Sequence, residues 1–82
     1  MTREEEQYYE HYFDLFLTTG WKQFVEEIQE ILDSHRIEDI RDDKQLAYTK
    51  GERSALHRIT RFEGGIKKSY NLILEREDAQ KT

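Results

Sequence analysis

The sequence predicts an all-α protein in which a helical hairpin packs on a long third helix. Three observations support this prediction: the chain has no proline, it is rich in the helix formers Glu, Gln, Lys, Arg and Leu, and its apolar residues recur every three or four positions. Its 82 residues suffice for one domain, 1–82, but a domain this small buries only a modest fraction of its surface. We therefore expect the protein to be oligomeric.

The first helix is expected over residues 3 to 18. Thr2 and Glu5 have the spacing of a capping box, in which two side chains satisfy backbone N–H groups at the start of a helix. Aromatic residues then recur at helical intervals. They give this helix an almost wholly aromatic apolar face: Tyr9, Tyr12, Phe13 and Phe16.

The second helix is expected over residues 20 to 35. Its apolar residues follow the i, i+3, i+4, i+7 spacing of an amphipathic helix, with acidic residues opposite. They are Trp21, Phe24, Val25, Ile28, Ile31 and Leu32. The periodicity is lost over residues 34 to 43, which we interpret as a connecting loop that ends in an N-cap at Asp42 or Asp43.

The third helix is expected from about 43 to 76, with a frayed polar tail after it. Its apolar residues have the mean spacing of a coiled-coil seam and keep their phase across Gly64 and Gly65. A glycine inside a helix costs about 1 kcal/mol relative to alanine, so the pair predicts a soft point or a bend. A common core is expected to unite the second and third helices through Trp21, Phe24, Ile28, Ile59 and Phe62.

Several kinds of site are not expected. The chain has no cysteine, which excludes disulfides, thiolate nucleophiles and cysteine-based zinc sites. His11, His35 and His57 fall in three different elements and lack metal-binding spacing, so we interpret them as packing or surface residues. No apolar run is as long as a membrane span. We therefore expect no enzyme activity, no catalytic, cofactor or metal residues, and no membrane partner.

The first helix carries more apolar surface than one neighbouring helix can cover. Tyr8, Tyr12 and Leu15 form a second strip beside the aromatic face, and tyrosine is enriched at protein interfaces. We expect this strip to be an interface. Trp21 is expected either to anchor the core at the turn between the first two helices or to be an interface hot spot.

A basic segment interrupts an otherwise acidic chain. Residues 44–68 have a net charge of +5, although the whole chain has a net charge of -5. On a helix, Lys50, Arg53, Arg58 and Arg61 form or flank one charged stripe. Such a stripe could bind nucleic-acid phosphates, but the acidic remainder of the chain would repel them, so we expect only weak, non-specific affinity for DNA. We predict instead that the stripe faces acidic protein, either the 26–33 stretch of the same chain or that of a neighbouring subunit.

Two segments of the sequence are similar to small all-helical proteins encoded by tailed bacteriophages. They are TTGWKQFVEEIQEIL and IRDDKQLAYTKGERSAL, and the second contains a D-x-x-L-x-Y-x-K-G-x-x-x-x-L pattern. The resemblance spans most of residues 12 to 75. It implies a phage origin and a structural or assembly role among virion and DNA-packaging proteins, and it supplies no catalytic residues.

The leading hypothesis is therefore a non-enzymatic phage protein that mediates protein–protein assembly, in the virion or in the host cytoplasm. Its partner would be a second copy or another phage or host protein. The alternative is a small acidic phage inhibitor that binds a host enzyme, with the Asp- and Glu-rich residues 26–43 imitating nucleic-acid phosphates.

Overall fold

The computed structural model describes residues 1–81, and in them the protein consists of helices and connections without strands. The predicted all-α class is confirmed. There are four α-helices in this part of the chain, with a short 3₁₀ helix, Ile37–Asp39, in the loop between the second and the third. The α-helices are α1 (Arg3–Phe16), α2 (Thr19–Ser34), α3 (Asp43–Thr60) and α4 (Phe62–Gln80).

Short polar side chains determine where three of these helices begin. The backbone N–H of Glu5 donates to Thr2 Oγ1 at 3.1 Å, and that of Lys44 donates to Asp42 Oδ1 at 2.8 Å. Thr18 has two roles, because its hydroxyl donates to the Leu15 carbonyl and accepts from the Trp21 N–H. It thereby ends α1 and begins α2, with only Leu17 and Thr18 between them.

The helices form two antiparallel arms. Arm one is α1 followed by α2, arm two is α3 followed by α4, and residues 35–42 connect the arms. Contacts between the arms show that they run antiparallel, because the residue number in arm two falls as the residue number in arm one rises. These contacts include Met1 with Glu77, Tyr9 with Ser69, Phe16 with Phe62, and Leu32 with Arg53. The molecule is elongated, with extents of 57 × 29 × 17 Å.

The predicted hairpin of the first two helices, packed on the third, differs from this arrangement. α1 packs mainly on α4, and α2 packs on α3. The reason lies in the short connection. Leu17 keeps right-handed helical backbone angles (φ -83°, ψ -11°), so only Thr18 departs from helical geometry, and both apolar faces turn toward arm two.

Arm two is interrupted at Arg61 and not at Gly64 and Gly65, where the sequence predicts a soft point or a bend. The Arg61 N–H keeps the α-helical hydrogen bond to the His57 carbonyl at 3.0 Å, but the backbone angles of Arg61 change to φ -96° and ψ -2°. Gly64 and Gly65 lie inside α4, where the Gly65 N–H donates to the Arg61 carbonyl at 2.9 Å. The single predicted helix from 43 to 76 is therefore two helices, and the second continues to Gln80, into the segment predicted to be a tail.

The buried core is small and lies between the arms. Tyr9, Phe16 and Ile66 form a cluster in the α1–α4 half, and Ile28 and Leu32 are buried on α2. Partly buried side chains surround the cluster: Met1, Tyr12, Phe13, Trp21, Phe62, Tyr70 and Ile73. The prediction of one shared core was wrong, because Phe24 is 44% exposed and neither Ile28 nor Ile59 belongs to the cluster against which Trp21 and Phe62 pack.

Truncation of Leu32 tests this core. Leu32 is 2% exposed, so Leu32→Ala should lower the free energy of unfolding by about 2 to 5 kcal/mol, since it removes buried methyl groups and leaves a cavity. The matched control is Leu72→Ala on α4, where the side chain is 48% exposed and the loss should be below about 1 kcal/mol. Urea unfolding measures both, and equal losses would contradict the assigned core.

Candidate interaction surfaces

The α1 edge, defined as Tyr8, Tyr12 and Leu15, is an apolar strip on arm one. Tyr8 and Leu15 are exposed, whereas Tyr12 is half-buried. The Tyr8 ring makes edge-to-face contacts with Tyr9 and Tyr12, with centroids 5.1 Å apart in each case. The edge is therefore continuous with the aromatic core and is held in a defined orientation by it.

Tyr12 and Trp21 are less available to bind a partner than the sequence predicted. The Tyr12 ring contacts Phe62 across the arms, with centroids 5.0 Å apart. Trp21 contacts Phe16 and Phe62, and its Nε1–H donates to Glu63 Oε1 at 2.9 Å. Trp21 thus lies where it joins the two arms, at the turn between α1 and α2.

Glu63 is held by two donors. Besides accepting from Trp21, its carboxylate pairs with Lys67 Nζ at 2.7 Å, one helical turn later. The Lys67 hydrogen bond, followed by the Trp21 hydrogen bond, lowers the pKa of the Glu63 carboxyl below its ordinary value of 4.5. The charged form of Glu63 is therefore favoured in the folded protein.

The basic cleft is an open depression of about 560 Å³ on α3 beside the connecting loop. It brings together all four residues of the predicted charged stripe. Its lining is Ile37, Lys50, Arg53, Ser54, His57, Arg58 and Arg61. Sequence periodicity alone could group the α3 residues, but it could not show that Ile37 of the 3₁₀ helix closes one side.

The cations of the cleft do not pair with the acidic stretch of their own chain. Arg53 Nη1 donates to the Leu32 carbonyl at 2.7 Å, in the last turn of α2. Among residues 1–81, ion pairs join Met1 to Glu77 and Lys67 to Glu63, so the predicted pairing with residues 26–33 of the same chain was wrong. The reason is that the carbonyl groups at the end of α2, and not its carboxylates, face Arg53.

The apolar notch is a second depression, of about 290 Å³, at the junction of α2 with arm two. Arg58 lines both the notch and the basic cleft, so the two form one continuous surface. The lining of the notch is Trp21, Phe24, Arg58, Ile59 and Phe62. The sequence assigned Phe24 to the core because helical spacing identifies an apolar face without showing how much of it a neighbour covers.

The histidines do not come together. His11 is exposed on α1, and His57 lines the basic cleft. His35 follows α2, and its Nδ1 is buried without a hydrogen-bond partner. The described part of the chain contains no group of three His, Asp or Glu side chains placed to bind a metal, and within it no helix is long and apolar enough to cross a membrane.

Comparison with known proteins adds no further constraint. No family model, curated protein or solved structure matches the chain.

The Arg53 contact with α2 should contribute to stability. Arg53→Ala should lower the free energy of unfolding by about 1.5 kcal/mol, because it leaves the Leu32 carbonyl without its charged donor. Arg76→Ala is the matched control, since Arg76 is exposed on α4 outside the cleft and should change stability by less than about 0.5 kcal/mol. Urea titration compares them, and an equal effect would contradict a structural role for Arg53.

Glu63 should make stability depend on pH. Because its pKa is lowered in the folded state, its stabilising effect is present above pH 4.5 and is lost as the pH falls through the lower folded value. Glu63→Gln should therefore cost about 0.3 to 0.5 kcal/mol at pH 7, a size typical of solvent-screened pairs one turn apart, and less at pH 3, where more of the carboxyl is protonated. Thermal or urea unfolding at both pH values measures this, with exposed Glu75→Gln as the control.

Proposed function

We propose that this protein is a non-enzymatic component of a protein assembly and that the α1 edge is one of its binding surfaces. The main support is the continuous apolar strip of Tyr8, Tyr12 and Leu15, two of which remain exposed beside a buried aromatic cluster. Single exposed apolar residues are ordinary on protein surfaces, but a continuous strip marks a contact with another protein.

The balance between buried and exposed apolar groups supports the same proposal. In the described residues only five apolar side chains are buried, whereas eight large ones are exposed. The exposed ones are Tyr8, Leu15, Leu17, Phe24, Ile31, Tyr48, Leu72 and Leu74. A small domain with a thin core gains stability when a partner covers such groups.

The resemblance to small tailed-phage proteins supports a proposal about where this assembly forms. We propose that the assembly is a phage particle or an intermediate in its construction, so the protein would reside in the virion or in the host cytoplasm. Mass spectrometry of purified particles tests this. An acidic inhibitor of a host enzyme would be missing from particles and would be recovered from lysate bound to that enzyme.

Charge on the α1 edge should weaken association. Tyr8→Glu with Leu15→Glu should shift the wild-type protein to smaller species, because carboxylates at these exposed positions prevent burial of the strip. Sedimentation velocity at micromolar concentration measures this. The matched control is Tyr48→Glu with Leu74→Glu, which places the same changes on exposed residues of α3 and α4.

Two results would count against the α1 edge. In one, both double variants sediment like the wild type. In the other, the control dissociates the protein as strongly as the α1-edge variant does, which would mean that added charge and not the site causes the effect. Tyr12 is left unchanged, because its contact with Phe62 makes it part of the fold.

A further inference from the structure

We propose that the basic cleft and the apolar notch together bind α2 of a second copy of this chain. This inference rests on the proposed assembly role and names a second contact in it, separate from the α1 edge. The receiving surface is continuous because Arg58 lines both depressions. One part of it is cationic and the other is aromatic, so it fits a helix that carries carboxylates beside a large apolar side chain.

The cationic part of this surface has positive charge that no carboxylate within residues 1–81 pairs with. Lys50, Arg58 and Arg61 are exposed, and none of them forms an ion pair within residues 1–81. Arg53 donates to the Leu32 carbonyl, and this hydrogen bond fixes the wall of the cleft. The carbonyl carries no full negative charge, so it does not neutralise Arg53. Opposite charges across an interface direct its orientation, so a carboxylate-bearing partner is the complement that this surface lacks.

The chain itself carries that complement on α2. Ile31 is 43% exposed, Glu27 lies one turn before it on the same side of the helix, and Glu30 lies one turn after Glu27. Glu27 accepts one long hydrogen bond from Gln23 at 3.4 Å, and neither glutamate forms an ion pair among the described residues. An exposed isoleucine with one carboxylate a turn away, and a second carboxylate beside the first, has the chemistry that the notch and the cleft require.

The geometry favours exchange between two copies. Phe24, which lines the notch, and Ile31 lie seven residues apart on one stripe of α2, a separation of two turns or about 10.5 Å. When two α2 helices meet antiparallel across a twofold axis, Ile31 of each copy faces Phe24 of the other. Glu27, one turn from Ile31, then lies near Arg58 of the other copy, with Glu30 beside Glu27. The contact is self-complementary, as a twofold interface must be.

Nucleic acid fits this surface less well. The chain has a net charge of -5, and Glu27 lies one turn from Phe24, beside the notch. This carboxylate would repel a phosphate backbone, whereas in the twofold contact it supplies attraction. Phosphate binding is therefore an alternative outcome of the test.

Charge exchange between variants tests the proposal. Arg58→Glu with Arg61→Glu changes the cleft, and Glu27→Arg with Glu30→Arg changes the helix that enters it; Arg53 is left intact because it supports the fold. Each variant alone should weaken the contact about tenfold or more, which corresponds to about 1.4 kcal/mol. An equimolar mixture should restore it, because each reversed surface then meets its complement. Sedimentation velocity with one variant fluorescently labelled measures both effects.

Controls separate this contact from general charge effects and from the α1 edge. Arg3→Glu with Arg76→Glu makes the same change in net charge outside the cleft and should leave association unchanged. Ile31→Asp should weaken the contact without lowering the free energy of unfolding, since Ile31 is exposed. With two different contacts, the α1-edge variant and the cleft variant should each leave a smaller assembly, and their combination should give monomers.

Three results would overturn the inference. The first is a cleft variant that associates like the wild type while the α1-edge variant dissociates, which leaves the proposed function intact. The second is failure of the mixed variants to restore association. The third is submicromolar binding of a fluorescent DNA duplex near physiological salt that Arg58→Glu with Arg61→Glu abolishes, which would assign the cleft to phosphate.

Discussion

The contact of Phe16 and Trp21 with Phe62 is the constraint on which the rest of the structure depends. Both arms are interrupted at this level, arm one at Leu17 and Thr18 and arm two at Arg61. Phe16 and Trp21 lie on either side of the first interruption and Phe62 directly follows the second, so their contact packs the two interruptions against each other. The Trp21 hydrogen bond to Glu63 fixes the indole further, so the two halves of the molecule share one orientation.

The arrangement of two arms also explains why so much apolar surface remains exposed to solvent. Each arm is only one helix thick, so a helix can cover one stripe of its neighbour and leaves the flanking residues in water. Phe24 and Ile31 flank the buried stripe of α2, and Tyr8 and Leu15 flank that of α1. A 10.0 kDa chain arranged as two long arms therefore has surfaces that only another molecule can cover.

The sequence was informative about those structural features whose physical cause is local. The existence of the helices, the caps at Thr2 and Asp42, and the grouping of the basic residues of α3 all follow from residues a few positions apart. The interruption at Arg61 was not predictable, because neither glycine nor proline marks it and the α-helical hydrogen bonds to His57 and from Gly65 continue through it. The pairing of α1 with α4 depends on tertiary contacts, and periodicity identifies an apolar face without naming the helix that covers it.

The arrangement of the arms also sets an order of assembly for the chain itself. The Arg53–Leu32 contact spans 21 residues of sequence, whereas the Tyr9–Ser69 contact spans 60. Closing the longer loop costs about 1 kcal/mol more in chain entropy, so α2 and α3 should pair first and α1 should dock last. During synthesis α1 emerges before α4, so its packing partner is missing until α4 follows. Until then its aromatic face is open to any partner nearby, including α1 of a second nascent chain.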